Sequence, residues 1–239
     1  MKKSIISLIL VMMLLSAVFV GSTFAEAAVD VQQQETFLFR SIPWYTTQRD
    51  VQNALSALKT YSNRSGVTIP DWFQRWNNID GDMTVEAGGC YTRYRDVSVA
   101  GYEANLYVYY MYPIVNGKTV KADDTAEMYL ALYEFETLSD MPAVYDDLVA
   151  KLTRLYGESE ALNNPDSWTN FNGRLWKAAD GSQIWLRLYY MYGSYTLKLS
   201  YIAPDCTNRL EALSAQLLQE KIDAEAEERQ QNQDNTEGL

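Results

Sequence analysis

The sequence predicts an α+β fold, with one antiparallel sheet, or two merged sheets, and helices packed on one face. Two kinds of pattern lead to this prediction. Several segments alternate apolar and polar residues with the two-residue period of a strand, and turn residues separate them. Two other segments repeat apolar residues at three- and four-residue intervals, and each begins with a capping residue. Aromatic residues make up 13% of the chain, which argues against global disorder.

The first half of the chain predicts one strand, one helix and three further strands. Residues 36–40 predict a short strand, and the turn at Ile42-Pro43-Trp44 leaves it. Thr47 and Asp50 have the spacing of a capping box, and the apolar residues after them predict a helix over residues 47–59. Three aromatic residues between positions 72 and 76 predict a short second helix. The three strands are expected at residues 90–99, 102–112 and 126–136.

The second half predicts a helix and three strands in the same order. Ser139 or Asp140 is expected to cap a helix whose apolar residues recur at helical intervals, and Gly157 fits its C-terminal end. Asp147 lies four residues before Lys151 on the exposed side of this helix. The three strands are expected at residues 173–178, 183–191 and 195–202, separated by turns at Asp180-Gly181 and Gly193-Ser194.

The order of the predicted elements repeats, because a helix followed by three strands occurs twice. This order indicates a duplicated helix-plus-three-strand unit. No residue-level similarity between the two units is evident, so the predicted repeat is one of architecture. A further helix, with Leu210, Leu213 and Leu217 on one side, is expected after Pro204.

The N-terminus has the features of an export signal. Lys2 and Lys3 precede an uninterrupted apolar or small stretch from Ile5 to Gly21, and small residues up to Ala25 form a cleavage site. The alternative is an uncleaved anchor. We expect a secreted or extracytoplasmic protein with no membrane span after cleavage. The expected boundaries are a signal peptide at residues 1–25, a flexible leader at 26–35, the α+β domain at 36–204, a C-terminal helix at 205–224 and a disordered acidic tail at 225–239.

Composition limits the partners and the chemistry. The net charge is −11, which disfavours nucleic acids and anionic membrane surfaces as partners. The chain contains no histidine. This removes the usual catalytic triads, the histidine general bases and the common zinc and iron ligand sets. The sequence predicts no metal and no cofactor, and any catalysis would depend on carboxylates, lysine, tyrosine or a serine–lysine pair.

Two cysteines are present, Cys90 and Cys206. An exported chain with an even cysteine count favours a disulfide between them. Such a bond would contribute about 4–5 kcal/mol in the chain-entropy model. The alternative is two separate buried thiols. A reactive nucleophile is not expected, because no histidine can activate it.

Alternation along four predicted strands sorts their side chains into two sets, because successive residues of a strand point to opposite faces. One set is aliphatic and predicts the core beneath the helices: Leu106, Val108, Met128, Leu130, Leu132, Ile184, Leu186, Leu188, Leu197 and Leu199. The other set is aromatic and polar, and its candidate binding residues are Tyr107, Tyr109, Tyr129, Tyr133, Trp185, Arg187 and Tyr189. Flat aromatic rings with polar tips favour a recognition surface. The alternative is that they form ordinary cross-strand pairs on a solvated face.

The sequence leaves two functions open. The first is an exported, non-catalytic binding protein whose aromatic sheet face recognises a protein, a peptide or a glycan at the cell surface. The alternative is an extracellular hydrolase based on carboxylates, with Glu134 and Glu136 on one strand face as the candidate pair. An open aromatic face would favour the binding protein, and a deep pocket with two or more carboxylates would favour the hydrolase.

The segment Phe37–Thr46 resembles the opening of an uncharacterised family of secreted and lipoprotein-like proteins of Gram-positive bacteria, in which Phe-Arg-x-Ile-Pro-Trp precedes glycine. Here Tyr45 stands in place of that glycine. The resemblance extends to Leu155-Tyr156-Gly157 and the region of Trp168, and it implies no known activity. The order of helices and strands is also similar to that of β-lactamase inhibitor proteins and small outer-membrane assembly lipoproteins. That similarity of architecture implies a binding module whose sheet face meets a protein.

Overall fold

The computed structural model of the protein describes residues 34–66, 77–79, 83–115, 118–119, 126–136, 140–163 and 170–234. The expected signal peptide, most of the leader, the short helix expected near residues 72–76 and the last five residues lie outside these ranges. Within them, no helix is long and apolar enough to cross a membrane.

The described residues form three helices and ten strands. The helices are α1 (Gln48–Ala54), α2 (Met141–Tyr156) and α3 (Cys206–Asp234). The strands are β1 (Thr60–Ser65), β2 (Asn77–Ile79), β3 (Met83–Val99), β4 (Tyr102–Val115), β5 (Lys118–Thr119), β6 (Glu127–Phe135), β7 (Glu160–Asn163), β8 (Asn170–Lys177), β9 (Gln183–Met191) and β10 (Ser194–Ile202).

All ten strands belong to one antiparallel sheet with the order β1-β3-β4-β6-β10-β9-β8-β7, to which β2 adds beside β3 and β5 beside β4. Helices α1 and α2 pack on one face of the sheet and share a single core with it. We call this the helix face and the opposite side the outer face. The predicted α+β fold with an antiparallel sheet is confirmed, and α1 and α2 share one face, whereas α3 begins on the opposite face.

The predicted strands agree with the observed ones within a few residues, apart from β3, which begins seven residues earlier than expected. Residues 36–40 do not form a strand. Phe39 makes a single bridge to Ile42, because positive φ angles at Arg40 and Ser41 reverse the chain between them. The edge strands β1 and β7 were not predicted. Helix α3 continues to Asp234, through part of the segment that was expected to be disordered.

The two predicted caps explain where α1 and α2 begin. The hydroxyl of Thr47 accepts a hydrogen bond from the backbone N–H of Asp50, as in a capping box. The carboxylate of Asp140 accepts one from the backbone N–H of Ala143. Helix α2 ends at Gly157, whose φ of 83° suits glycine. Its Asp147 forms the predicted ion pair with Lys151 at 2.6 Å.

The two halves of the sheet have the same arrangement. A helix, an edge strand and a three-stranded meander follow in order in each half, and the last strands of the two meanders, β6 and β10, pair at the centre. Tyr133 lies opposite Leu199 in this central pair. Leu106 pairs with Tyr133 in the first half, and Leu186 pairs with Leu199 in the second. A two-fold rotation through the central pair therefore matches Leu106 with Leu186.

The matched strands β4 and β9 also share a sequence motif. Residues 106–112 are Leu-Tyr-Val-Tyr-Tyr-Met-Tyr, and residues 186–192 are Leu-Arg-Leu-Tyr-Tyr-Met-Tyr. The expectation that the two units have no residue-level similarity is therefore wrong. The strand register identifies which residues to compare, and this is information that the sequence alone does not contain.

The phase of β6 also differs from the prediction. Tyr133 pairs with Leu106 and Leu199, so its side chain lies on the helix face, where it is only 3% exposed. Leu130 and Leu132 lie on the outer face, between β4 and β10. Strand β6 carries bulky apolar side chains in both of its alternating sets, with Leu130 and Leu132 in one and Tyr133 and Phe135 in the other. Alternation therefore cannot tell which set faces the helices.

The predicted disulfide is wrong, because both cysteines are present as buried thiols. Cys90 lies on the helix face, where its Sγ is 3.7 Å from the side-chain oxygen of Gln48 in α1. Cys206 begins α3 and belongs to the cluster on the outer face. The sheet separates the two thiols, whereas a disulfide needs Cα atoms within about 7 Å of each other. The alternative of two separate buried thiols fits the structure.

Candidate functional site

The outer face is the candidate functional site. Cross-strand pairing aligns its residues in rows over β3, β4, β6, β10 and β9. Its half-buried members are Tyr91, Arg93, Asn105, Tyr107, Tyr109, Leu130, Leu132, Glu134, Trp185, Arg187, Tyr189, Thr196 and Lys198. The helix face is covered by α1 and α2. Within the described chain, the outer face is covered only at one end.

The first turn of α3 covers that end. Cys206 and Ala203 pack there with Met111, Tyr129 and Ile202 in a small buried cluster. The Tyr45 hydroxyl donates to the carbonyl of Pro204, and Arg209 Nε donates to Glu127 at 2.7 Å. Burial raises the pKa of the Cys206 thiol to about 12, so this thiol is protonated and unreactive at neutral pH.

Two of the predicted binding residues are buried. Tyr129 lies beneath the first turn of α3 and is 1% exposed, because a bulge opposite Tyr109 and Tyr110 turns it into the small cluster. Tyr133 lies on the helix face, where its hydroxyl accepts a hydrogen bond from Arg40 Nε at 2.9 Å. Neither side chain belongs to an accessible surface, so the expectation that both lie on an open recognition face is wrong.

The first group on the open part of the face is a tyrosine cluster. The rings of Tyr107 and Tyr109 stack with centroids 6.4 Å apart, and Tyr91 lies across both at 5.5 and 5.4 Å. The Arg93 guanidinium lies 5.3 Å from the Tyr107 ring centroid. Burial raises the pKa of Tyr109 to about 12. The Tyr109 hydroxyl is therefore neutral at physiological pH and can both donate and accept hydrogen bonds.

The second group is an alternating stack along β9. Arg187 lies between Trp185 and Tyr189 on the same face, with its guanidinium carbon 4.8 Å and 5.6 Å from the two ring centroids. Phe171 of β8 continues the stack, with its ring centroid 5.5 Å from that of Tyr189. Burial lowers the pKa of Arg187, although a guanidinium stays charged at neutral pH. Within the described chain, its Nε has no hydrogen-bond partner.

Between the two groups, one row of cross-strand neighbours is polar and the next row is largely apolar. Glu134 and Lys198 form an ion pair at 2.9 Å directly across the β6–β10 ladder. In the next row Ser200 is buried between Leu132 and Trp185. Next to Lys198 lies an open depression of about 310 Å³, lined by Tyr189, Met191, Thr196 and Lys198.

The two candidate carboxylates do not line a common pocket in the described structure. Glu134 is engaged by Lys198, and Glu136, two residues further, lies exposed beyond the end of β6. No carboxylate of the described chain lines the depression beside Lys198. Among the described residues there is also no group of three or more acidic or cysteine side chains that could hold a metal ion.

The structure brings together five of the seven predicted binding residues and adds others. Tyr107, Tyr109, Trp185, Arg187 and Tyr189 share the outer face. The residues that the prediction missed are Tyr91, Arg93 and Phe171. Tyr91 and Arg93 lie in β3, where a register shift between Tyr94 and Val97 interrupts the alternation, so the pairing with β4 is needed to place them on the outer face. Phe171 was missed because β8 begins three residues earlier than expected.

Comparisons with protein-family models, with curated proteins and with solved structures found no match to this chain. The resemblance of Phe37–Thr46 to a secreted Gram-positive family, and the similarity of architecture to β-lactamase inhibitor proteins, therefore stay predictions.

Proposed function

We propose that this protein is an exported, non-catalytic binding protein whose outer sheet face recognises a protein, a peptide or a glycan at the cell surface. The observation that carries the proposal is the open aromatic and cationic part of this face. Two ring groups, one with Arg93 and one with Arg187, lie on either side of the Glu134–Lys198 pair.

The free-energy cost of burying Arg187 supports a role for this stack other than stabilising the fold. A buried arginine Nε without a hydrogen-bond partner costs free energy, typically about 1–3 kcal/mol for an unsatisfied polar group. A sheet face with aliphatic residues at this position would avoid that cost. Aromatic residues and arginine are also the side chains most enriched at the centres of protein interfaces.

Export is part of the proposal, and it rests on the N-terminal sequence. A basic start, an apolar stretch and small residues up to Ala25 form a complete export signal. The carboxylate-based hydrolase has less support, because Glu134 is held by Lys198 and the depression beside it is lined by no described carboxylate.

The proposal predicts that Trp185→Ala removes binding without unfolding the protein. The full chain would be screened against a glycan array and a phage-displayed random peptide library, and the strongest ligand would be titrated. We expect Trp185→Ala and Tyr107→Ala each to weaken binding at least tenfold, with a fall in melting temperature of only a few degrees. Tyr102→Ala is the matched control, since Tyr102 is half-buried and its hydroxyl contacts Asp147 of α2.

Equal binding by the wild type and both outer-face variants would refute the proposal. A fall in melting temperature as large as that of a core substitution would also refute it, because the outer face would then be part of the buried structure.

A further inference from the structure

The end of the β9–β10 hairpin carries four exposed apolar side chains, of which Met191 also borders the depression of the outer face. Tyr190 is 50% exposed, Met191 is 41% exposed and Tyr192 is fully exposed. Tyr195 contributes a fourth exposed side chain, with its ring centroid 4.8 Å from that of Tyr190. We call these four residues the hairpin tip.

The backbone at the hairpin tip is costly for a tyrosine. Tyr192 has a φ of 52° and Gly193 a φ of 83°, and the flanking Met191 and Ser194 are paired. Two positive φ values in a two-residue hairpin loop define a type I′ turn, in which asparagine, aspartate or glycine is strongly preferred at the first position. A tyrosine there is both strained and exposed, and strain of this kind is concentrated at functional sites.

The first half of the molecule shows how the same motif behaves when it is covered. Tyr110, Met111 and Tyr112 are the matched residues of β4, and all three are buried. Met111 belongs to the buried cluster beneath the first turn of α3, against which Trp44 and Tyr45 also pack. Tyr110 and Tyr112 belong to the core on the helix face. The β9 copy has no such cover from the described chain.

The charges near the hairpin tip indicate which chemical groups a partner would carry. Strands β9 and β10 contain no aspartate or glutamate, and their two cationic residues, Arg187 and Lys198, both lie on the outer face, although the whole chain has a net charge of −11. Lys198 lines the depression of about 310 Å³ together with Met191 of the tip. Its ammonium group has three N–H donors, so it can donate a hydrogen bond to a second carboxylate as well as to Glu134. An apolar anchor on the tip and a carboxylate at Lys198 are thus complementary to this surface.

We propose that the hairpin tip docks an apolar, acidic segment of a partner protein, with an aromatic or aliphatic side chain on Met191 and Tyr192 and a carboxylate at Lys198. This inference rests on the proposed binding function and selects a protein segment as the ligand. It adds a second contact region at one end of the outer face.

The test uses the full chain and peptides selected from a phage-displayed random library. We expect the selected peptides to combine aromatic or large aliphatic residues with aspartate or glutamate. A synthetic peptide of the consensus sequence, followed by fluorescence anisotropy, should bind at least tenfold more weakly to Tyr192→Asn and to Met191→Ser. Lys198→Gln should weaken binding several-fold and reduce its dependence on salt.

Two controls separate docking from folding. Tyr192→Asn places the preferred residue in the turn, so its melting temperature should equal or exceed that of the wild type. Leu155→Ser removes another exposed apolar side chain, 64% exposed near the end of α2, and should bind the peptide like the wild type.

The inference would be overturned by the absence of enriched peptides, by a basic consensus, or by unchanged binding to Tyr192→Asn and Met191→Ser. A concentration-dependent dimer that Tyr192→Asn abolishes would assign the tip to a second copy of the chain. Binding to phosphatidylcholine–phosphatidylglycerol vesicles that Tyr192→Asn abolishes would assign it to lipid. Loss of peptide binding in Trp185→Ala alone would sustain the proposed aromatic site and reject the tip. Loss in the tip variants alone would sustain the tip and reject the Trp185 stack as a contact for this peptide.

Discussion

At the scale of single residues, Tyr133 is the clearest contrast between the two faces of the sheet. Its ring packs among Phe39 and Tyr201, and its hydroxyl accepts from Arg40. Tyr133→Ala should lower the free energy of unfolding by about 3–5 kcal/mol, measured by urea denaturation, because it leaves a cavity in the core. Tyr133→Phe keeps the ring and should cost only about 1 kcal/mol.

The half-exposed Trp185 supplies the comparison for Tyr133. Trp185→Ala should cost well under half as much as Tyr133→Ala, since one side of the indole already faces solvent. Equal losses of stability for the two alanine variants would contradict the assignment of Trp185 to an open face.

At the scale of elements, the attachment of α3 depends on a small number of polar contacts. Arg209 makes a two-pronged ion pair with Glu127, whose side chain is 12% exposed, and stacks over the Tyr45 ring. Glu127→Gln should loosen the first turn of α3 and cost about 1.5–3 kcal/mol, because a charge-assisted hydrogen bond is lost at a largely buried position. Hydrogen exchange of residues 206–212 should become faster.

The matched control for α3 is Glu160→Gln, which breaks the exposed pair with Lys177. Both side chains of that pair are well exposed, so we expect a change below about 1 kcal/mol. Unchanged exchange in α3 of the Glu127→Gln variant would show that the apolar contacts of Cys206 alone hold the helix.

The elements that were predicted correctly are those whose signal is local. The caps at Thr47 and Asp140 are specified by residues three positions apart, and β9 shows a strict alternation. The phase of β6 and the bulge at Tyr129 depend on neighbouring strands, which the sequence does not identify. The edge strands β1 and β7 are short and polar, so neither alternation nor apolar content marks them.

At the scale of the whole molecule, the candidate site could be only partly predicted because its two matched halves are covered differently. Composition and alternation placed tyrosine and tryptophan on one face of a sheet. Which end of that face is covered depends on α3 and on the turn at Trp44 and Tyr45, which come from distant parts of the chain. The open end, with the hairpin tip, is recognised only when the β9 motif is compared with its buried counterpart in β4.

The absence of histidine and the many buried tyrosines give the whole molecule a distinctive dependence on pH. Without histidine, no side chain of ordinary pKa titrates between about pH 6 and 8, so stability should be flat there. Burial raises the pKa of Tyr94 and of Tyr109 from 10.0 to about 12, and it raises the pKa of Tyr110 further.

Because these folded-state pKa values exceed those of the unfolded chain, the unfolded state loses its phenolic protons first as pH rises. The stabilisation is complete below about pH 10 and is lost as pH rises from there through about 12. We expect the urea midpoint to be constant from pH 6 to 8 and to fall steeply between pH 10 and 11.5. Absorbance at 295 nm should show that only part of the 18 tyrosines ionise before the native circular dichroism is lost. Ionisation of all tyrosines near pH 10 in a chain that keeps its native spectrum would mean that their hydroxyls are open to solvent, and the two-faced packing described above would then be wrong.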